Sequence, residues 1–159
     1  MKRPRIYCDS SVIGGYFDSE FETDSRRFVE AVKNGQIVML VSEVVIQEIL
    51  QAPENVQNLL ASIPTSSVER VPLSKEIVEL RNAYIAAGIL GAKWIDDATH
   101  VAAATVARAD AIVSWNFAHI VRLDKMKSYN QVNLINGYGI LTIVSPREVH
   151  YGDTQQEGI

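Results

Sequence analysis

The chain has 159 residues with a formal net charge of -4, 47% hydrophobic and 21% charged residues, and a single cysteine. That length supports one domain with one substantial core, and the balance is that of a globular chain rather than a disordered one. The lone Cys8, inside an apolar strand and read as a buried inert thiol, excludes an internal disulfide and a cysteine-based zinc site; the negative charge argues against a broad basic surface for nucleic acid. No apolar run approaches the length of a membrane span, and Met1-Lys2-Arg3-Pro4-Arg5 leads into a strand too short for a signal-peptide core, so a cytoplasmic protein is expected.

In chain order, Arg5-Ile6-Tyr7-Cys8-Asp9 reads as a short buried strand stopping at an acid, and Ser10 to Gly15 as a helical turn ended by glycines. Thr23 is the expected cap of a helix through Arg26, Phe28, Val29 and Val32, closed by Asn34-Gly35. Ile37 to Val41 is an uninterrupted apolar run, the pattern of a strand covered on both faces, and Ser42 is the expected cap of the helix after it. On that helix Val44, Val45, Glu48 and Ile49 adjoin on one face, so Glu48 interrupts a stripe that should be buried, whereas Glu43 is a dipole-favoured surface acid.

Pro53 opens a helix through Val56, Leu59 and Leu60, Val68 to Val71 alternates as a short strand, and Ser74 caps a helix carrying Ile77, Leu80, Tyr84 and Ile85 that stops at Gly88. Val56, Leu59, Tyr84 and Ile85 are expected to offer apolar helix faces to a second copy or a partner. Residues 93–107 form an alanine-rich helix whose first turn holds Asp96 and Asp97, where the positive end of the dipole favours acids. Asp97, His100, Val101 and Ala104 share one face, which aims Asp97 inward, and the small side chains predict close packing on a neighbouring layer. Asp110 to Asn116 is the next apolar strand, His119 to Lys127 a short basic helix or turn, and Gly139 to Val144 the last strand. Ser145-Pro146-Arg147-Glu148 has the form of a capping box, and the tail from residue 151 is polar and expected to fray.

Strands alternating with helices, several strands wholly apolar, predict a mostly parallel sheet with helices on both faces; ligands bind such folds at the carboxyl ends of the strands. Asp9, Asn116 and the first turn of the Asp97 helix reach that edge, and Glu48 reaches it from its helix. Clustered acids repel one another unless protons or a cation relieve them, and hard oxygen donors select magnesium or manganese, which grip a phosphodiester and activate water. Each residue also has a plainer reading: Asp9 as a cap, Glu48 at the solvent edge, Asp96 as an exposed neighbour of Asp97 or a holder of a second ion. His100 reads as a packed histidine rather than a ligand, Ser11 and Ser114 either bond the acids or cap turns, and Trp94 and Trp115 read as core or interface anchors. Arg26, Arg27, Arg122, Lys125 and Lys127 either steer RNA or form solvated faces.

Asp9-Ser10-Ser11-Val12 resembles the first motif of the PIN-domain nucleases, Gln47-Glu48-Ile49-Leu50 the second, and Asp97-Ala98-Thr99-His100-Val101-Ala102 with Ala104 the third, in order across roughly residues 5 to 145. The likeness is greatest to VapC-like toxins of bacterial toxin-antitoxin pairs. It implies a three-layer α/β/α PIN-like fold over residues 1–150 and a magnesium- or manganese-dependent endoribonuclease. Asp9, Glu48 and Asp97 would be its catalytic metal-holding acids, with Asn116 and Asp96 completing the metal site and Ser11, Ser114 and His100 supporting. It further implies an RNA substrate, an antitoxin protein partner and a homodimer. One departure is that Ser114-Trp115-Asn116-Phe117 offers an amide where many such domains have an acid. The alternatives are therefore a catalytically impaired PIN-like module that binds RNA or protein, and a phosphoacceptor receiver domain, against which stands the missing lysine after a late strand.

Overall fold

The computed structural model describes residues 2–150; the expected polar tail lies outside the described residues. Five short strands, β1 (Arg5–Cys8), β2 (Val38–Ser42), β3 (Val68–Val71), β4 (Ala111–Val113) and β5 (Ile143–Val144), form one sheet in the order β3-β2-β1-β4-β5. Every pairing is parallel, so the sheet is parallel throughout rather than mostly so. Parallel strands need long crossovers, and the helices supply them: α1 (Ser10–Gly15), α2 (Glu22–Lys33), α3 (Glu43–Leu50), α4 (Glu54–Ser62), α5 (Lys75–Ala86), α6 (Ile95–Val106) and α7 (Leu123–Ile135). Right-handed crossovers place α2 and α4 on one face and, after the chain turns back past β1, α5 to α7 on the other, giving three α/β/α layers. The order reverses between β1 and β4, the switch point at which such sheets bind ligands. This order is not the 2-1-3-4-5 of receiver-type sheets, which removes that alternative.

The strands are apolar because both faces are covered: Tyr7, Cys8, Leu40, Ile112 and Val113 are fully buried. On α6, Ala98, Ala102, Ala103 and Ala104 are likewise buried, so small side chains bring this helix close to the sheet and to α5. Cys8 is an inert thiol, its proton held by burial and by the neighbouring Asp9.

Several local expectations are corrected. Thr23 does not cap α2; the helix starts at Glu22 after Phe21, because the turn opened by Asp18 already carries the chain into it through Glu22 N–H to the Asp18 carbonyl. Ser42 occupies the position before α3, but its hydroxyl bonds Tyr7 instead of a helix N–H. The short basic helix or turn expected at residues 119–127 is a loop followed by the start of α7, which runs on to Ile135 as a 13-residue helix. Its buried face carries Tyr129 and Asn133 while Leu134 and Ile135 are exposed, so no apolar stripe announces it. Asn133 donates to Thr105 Oγ1 at 3.2 Å and accepts from the Tyr84 hydroxyl, a polar knot tying α5, α6 and α7 together. Val56, Leu59 and Tyr84 belong to the core of this chain and offer no face to a second copy, and Ile85 is partly buried against that core. Among the described residues no helix is long and apolar enough to cross a membrane.

Candidate functional site

Asp9 directly follows β1 at the switch point and is 4% exposed. Burial would favour its protonated form, so donors are needed: Ser11 Oγ donates to Oδ1 and Ser114 Oγ to Oδ2, both at 2.6 Å, the short spacing of charge-assisted bonds. Each serine hydroxyl in turn accepts a backbone N–H at 2.9 Å, Ser11 from Trp115 and Ser114 from Asn116. Ser11 and Ser114 thus bond the acid and shape the turn at once, and one carboxylate ties the end of β1 to the end of β4. Burial, reinforced by Glu48, keeps the Asp9 carboxyl above its ordinary range despite the pull of His100 and the two serines.

Glu48, half-buried on α3, accepts from His100 Nε2 at 2.8 Å and from Ser10 Oγ at 3.0 Å, both on Oε1. His100 is 1% exposed, and its other nitrogen lies 2.7 Å from the Tyr7 hydroxyl, itself 2.7 Å from Ser42 Oγ. With a carboxylate on Nε2 that nitrogen carries a proton, so in the neutral ring Nδ1 accepts from Tyr7, which accepts from Ser42. The histidine is packed, and both its ring nitrogens have partners. Desolvation works against its charged form, but the bond to Glu48 and the charges of Asp9, Glu48 and Asp97 outweigh it and raise its pKa. Desolvation likewise pushes Glu48 up, and the bonds from His100 and Ser10 with the His100 charge bring it below its ordinary value.

Asp97, in the first turn of α6, pairs Oδ2 with His119 Nδ1 at 2.9 Å. Sequence reasoning placed His119 only at the head of a basic segment; nothing in its spacing from Asp97 points to the pair, which depends on the loop after β4. That loop is set by Asn116, whose Oδ1 accepts the His119 N–H at 2.9 Å, and by the Tyr129 hydroxyl, which donates to the His119 carbonyl at 2.8 Å. Asn116 therefore lines the site with its oxygen occupied in a turn. Glu48, Asp96, Asp97, Asn116 and His119, together with Lys93 and Trp94, enclose an open cleft of about 490 Å³. Asp9 does not line it and lies behind, within electrostatic reach of Glu48 and His100.

The acids and the amide are hard oxygen donors suited to magnesium or manganese. Among the described residues, Glu48 Oε2, Asp97 Oδ1 and the exposed Asp96 carry no side-chain partner, and no group of three or more His, Cys, Asp or Glu side chains is already arranged as a metal site. Four of the five basic residues considered for RNA steering have local partners: Arg26 with Glu22 and the Tyr16 carbonyl, Arg27 with Asp24 and the Pro146 carbonyl, Arg122 with Asp124, and Lys125 with the Ile89 carbonyl; among the described residues Lys127 has none. Trp115 is a core anchor donating to Ser25 Oγ at 2.8 Å, whereas Trp94 is 41% exposed on the cleft wall. No protein-family model matches this chain, and no curated protein matches it either.

Proposed function

We propose that this protein is a metal-dependent endoribonuclease of the PIN type. The observation that carries the reading is the opening of Glu48, Asp96 and Asp97 into one cleft beside the β1/β4 switch point, with the buried Asp9 behind them. Their oxygen chemistry fits magnesium or manganese: Glu48 and Asp97 would hold the cation in the cleft, with Asp96 beside them and Asp9 as the third acid behind. A bound cation supplies a Lewis acid for the phosphodiester and an activated water. The chain's own side chains prepare the acids: Ser11 and Ser114 orient Asp9, His100 and Ser10 fix Glu48, and His119 fixes Asp97. Asn116 acts through the turn that sets His119. Lys93 is the cation on the cleft wall available to a phosphodiester.

Cleavage of single-stranded RNA by the purified chain tests the proposal. It should require magnesium or manganese, vanish with a chelator, and be abolished by Asp9→Asn and by Asp97→Asn. Full activity in chelator or in either variant would sink the mechanism and leave the fold untouched. The resemblance to VapC-like toxins extends the proposal to an antitoxin partner, a homodimer and a cytoplasmic site of action. The neighbouring reading frame, sedimentation and cell fractionation test these in turn. A second reading, a PIN-like module that binds RNA or protein without cutting, draws on the engagement of Asn116 Oδ1 in its turn. RNA binding with no cleavage at any metal concentration would favour it.

A further inference from the structure

Trp94 is a large aromatic side chain left open at a polar, acidic cleft, where burial in a core would be the ordinary outcome. It ends a short 3₁₀ turn, Ala92–Trp94, immediately before α6, which places it next to the acids of the first turn. Its ring centroid lies 4.3 Å from that of His119, at an interplanar angle of 40°, and the Lys93 ammonium lies over the ring at 5.0 Å. His119 is itself immobilised at three points, by Asp97 on its ring, Asn116 on its N–H and Tyr129 on its carbonyl. The platform is therefore rigid on one part and movable on another, since Lys93 is exposed and flexible.

Glu48 joins this cleft to a second one of about 410 Å³, which it lines together with Ser10, Gly14 and Phe17. Phe17 is 40% exposed, edge-on to Tyr16 at 5.0 Å between centroids. An exposed aromatic thus stands in each of two clefts that meet at one carboxylate. A duplex keeps its bases stacked inside and offers such platforms nothing, whereas every base of a single strand presents a π-face.

Resting on the nuclease reading of this site, we propose that Trp94 with His119 is a base-stacking subsite for single-stranded nucleic acid, adjoining the acids on one side, with Phe17 as its counterpart on the other. An incoming base displaces the Lys93 ammonium from the indole, which leaves that cation free for the neighbouring phosphate. Trp94 and Phe17 are then specificity residues for strandedness, and base identity is read only weakly, as stacking platforms do.

The test uses a fluorescently labelled single-stranded RNA octamer, its duplex, and an octamer with consecutive abasic positions, titrated with the full chain in calcium buffer and read by anisotropy. Trp94→Leu should weaken binding of the normal strand by about 5- to 150-fold, the range of one lost base–aromatic stack. Trp94→Phe should retain most of the affinity, and the Trp94→Leu effect should vanish on the abasic strand. Phe17→Leu should give a smaller loss of the same kind. Equal affinity of wild type and Trp94→Leu for the normal strand, or an equal loss on the abasic strand, would overturn the subsite. A cleavage assay on the same proteins separates the two readings: cutting by Trp94→Leu at wild-type kcat/KM overturns the subsite alone. Base-dependent binding without any cutting sustains the subsite and overturns the hydrolytic reading.

Discussion

His100 Nε2 lies 2.8 Å from Glu48 Oε1 in a site where the histidine is almost wholly withdrawn from water. A buried imidazolium is costly alone, and this one is held by the carboxylate it bonds. The pair is coupled to folding through both partners. The raised His100 pKa stabilises the fold fully below the ordinary imidazole value of 6.5, and that contribution is lost as pH rises through the raised value. The lowered Glu48 pKa stabilises it fully above the ordinary value of 4.5 and is lost as pH falls through the lowered value. Both contributions are complete between 4.5 and 6.5. In chelator, Glu48→Gln should lower the melting temperature most within that window and progressively less on either side of it. A melting difference independent of pH would show that the bond is made without charge.

The two serine hydroxyls on Asp9 give a second prediction. Ser114 is fully buried, so Ser114→Ala removes a donor from Asp9 Oδ2 and an acceptor from the Asn116 N–H with no water to replace them. A loss of about 1–3 kcal/mol is expected at neutral pH, measured by urea denaturation. Without that donor the Asp9 carboxyl, already raised by burial, rises further and is more readily protonated. The loss should therefore shrink as the pH is lowered through the acid range. A constant loss would place the role of Ser114 in the turn alone.

Gly15 gives a third. A Cβ there would lie 2.6 Å from Ser25 Oγ and 2.8 Å from Trp115 Nε1, inside the hydrogen bond those two atoms make. Gly15→Ala should cost about 1–3 kcal/mol by overpacking and shift the Trp115 emission as the bond opens. Gly14, with nothing within 4 Å of the same added atom, is the control, and Gly14→Ala should leave stability unchanged or raise it slightly. Equal effects of the two substitutions would remove the close approach as the cause.

The legible parts of this chain are those where side-chain pattern and packing coincide. The apolar runs at Ile6 to Cys8, Val38 to Val41 and Ala111 to Val113 became a parallel sheet because buried strands must be apolar on both faces. The acids at 9, 48 and 97 could be placed on one edge because a strand end and two helix faces fix their direction. The polar partners were less legible. Tyr7 sits in an apolar strand with nothing local to reveal that its hydroxyl meets Ser42 and His100, contacts separated by 35 and 93 residues. The Asp97–His119 pair depends on how the loop after β4 folds back, and α7 hides its inner face behind a tyrosine and an asparagine. Periodicity reports burial of carbon; it does not report which buried hydroxyls and imidazoles find one another.

Asn116 gives the last prediction, because an added charge shifts the magnesium requirement in one of its two roles and leaves it unchanged in the other. Its Oδ1 accepts the His119 N–H at 2.9 Å, and an aspartate keeps that acceptor while replacing the amide nitrogen with a second oxygen in the cleft. Asn116→Asp should therefore fold like the wild type. If a divalent cation binds among Glu48, Asp96 and Asp97, a new charge about 4 Å from it gains about 4 kcal/mol per unit of cation charge at an effective dielectric of about 20. Repulsion from the neighbouring acids and loss of hydration remove much of that gain. A net benefit should remain, so Asn116→Asp should reach half-maximal cleavage at lower magnesium. Asn116→Ala loses the turn acceptor instead. It should cost about 1 kcal/mol of stability, loosen His119 from Asp97, and reduce cleavage less than Asp97→Ala does. Identical magnesium titrations for wild type and Asn116→Asp, with both proteins folded, would confine Asn116 to the turn and leave the acids as the whole of the metal-binding proposal.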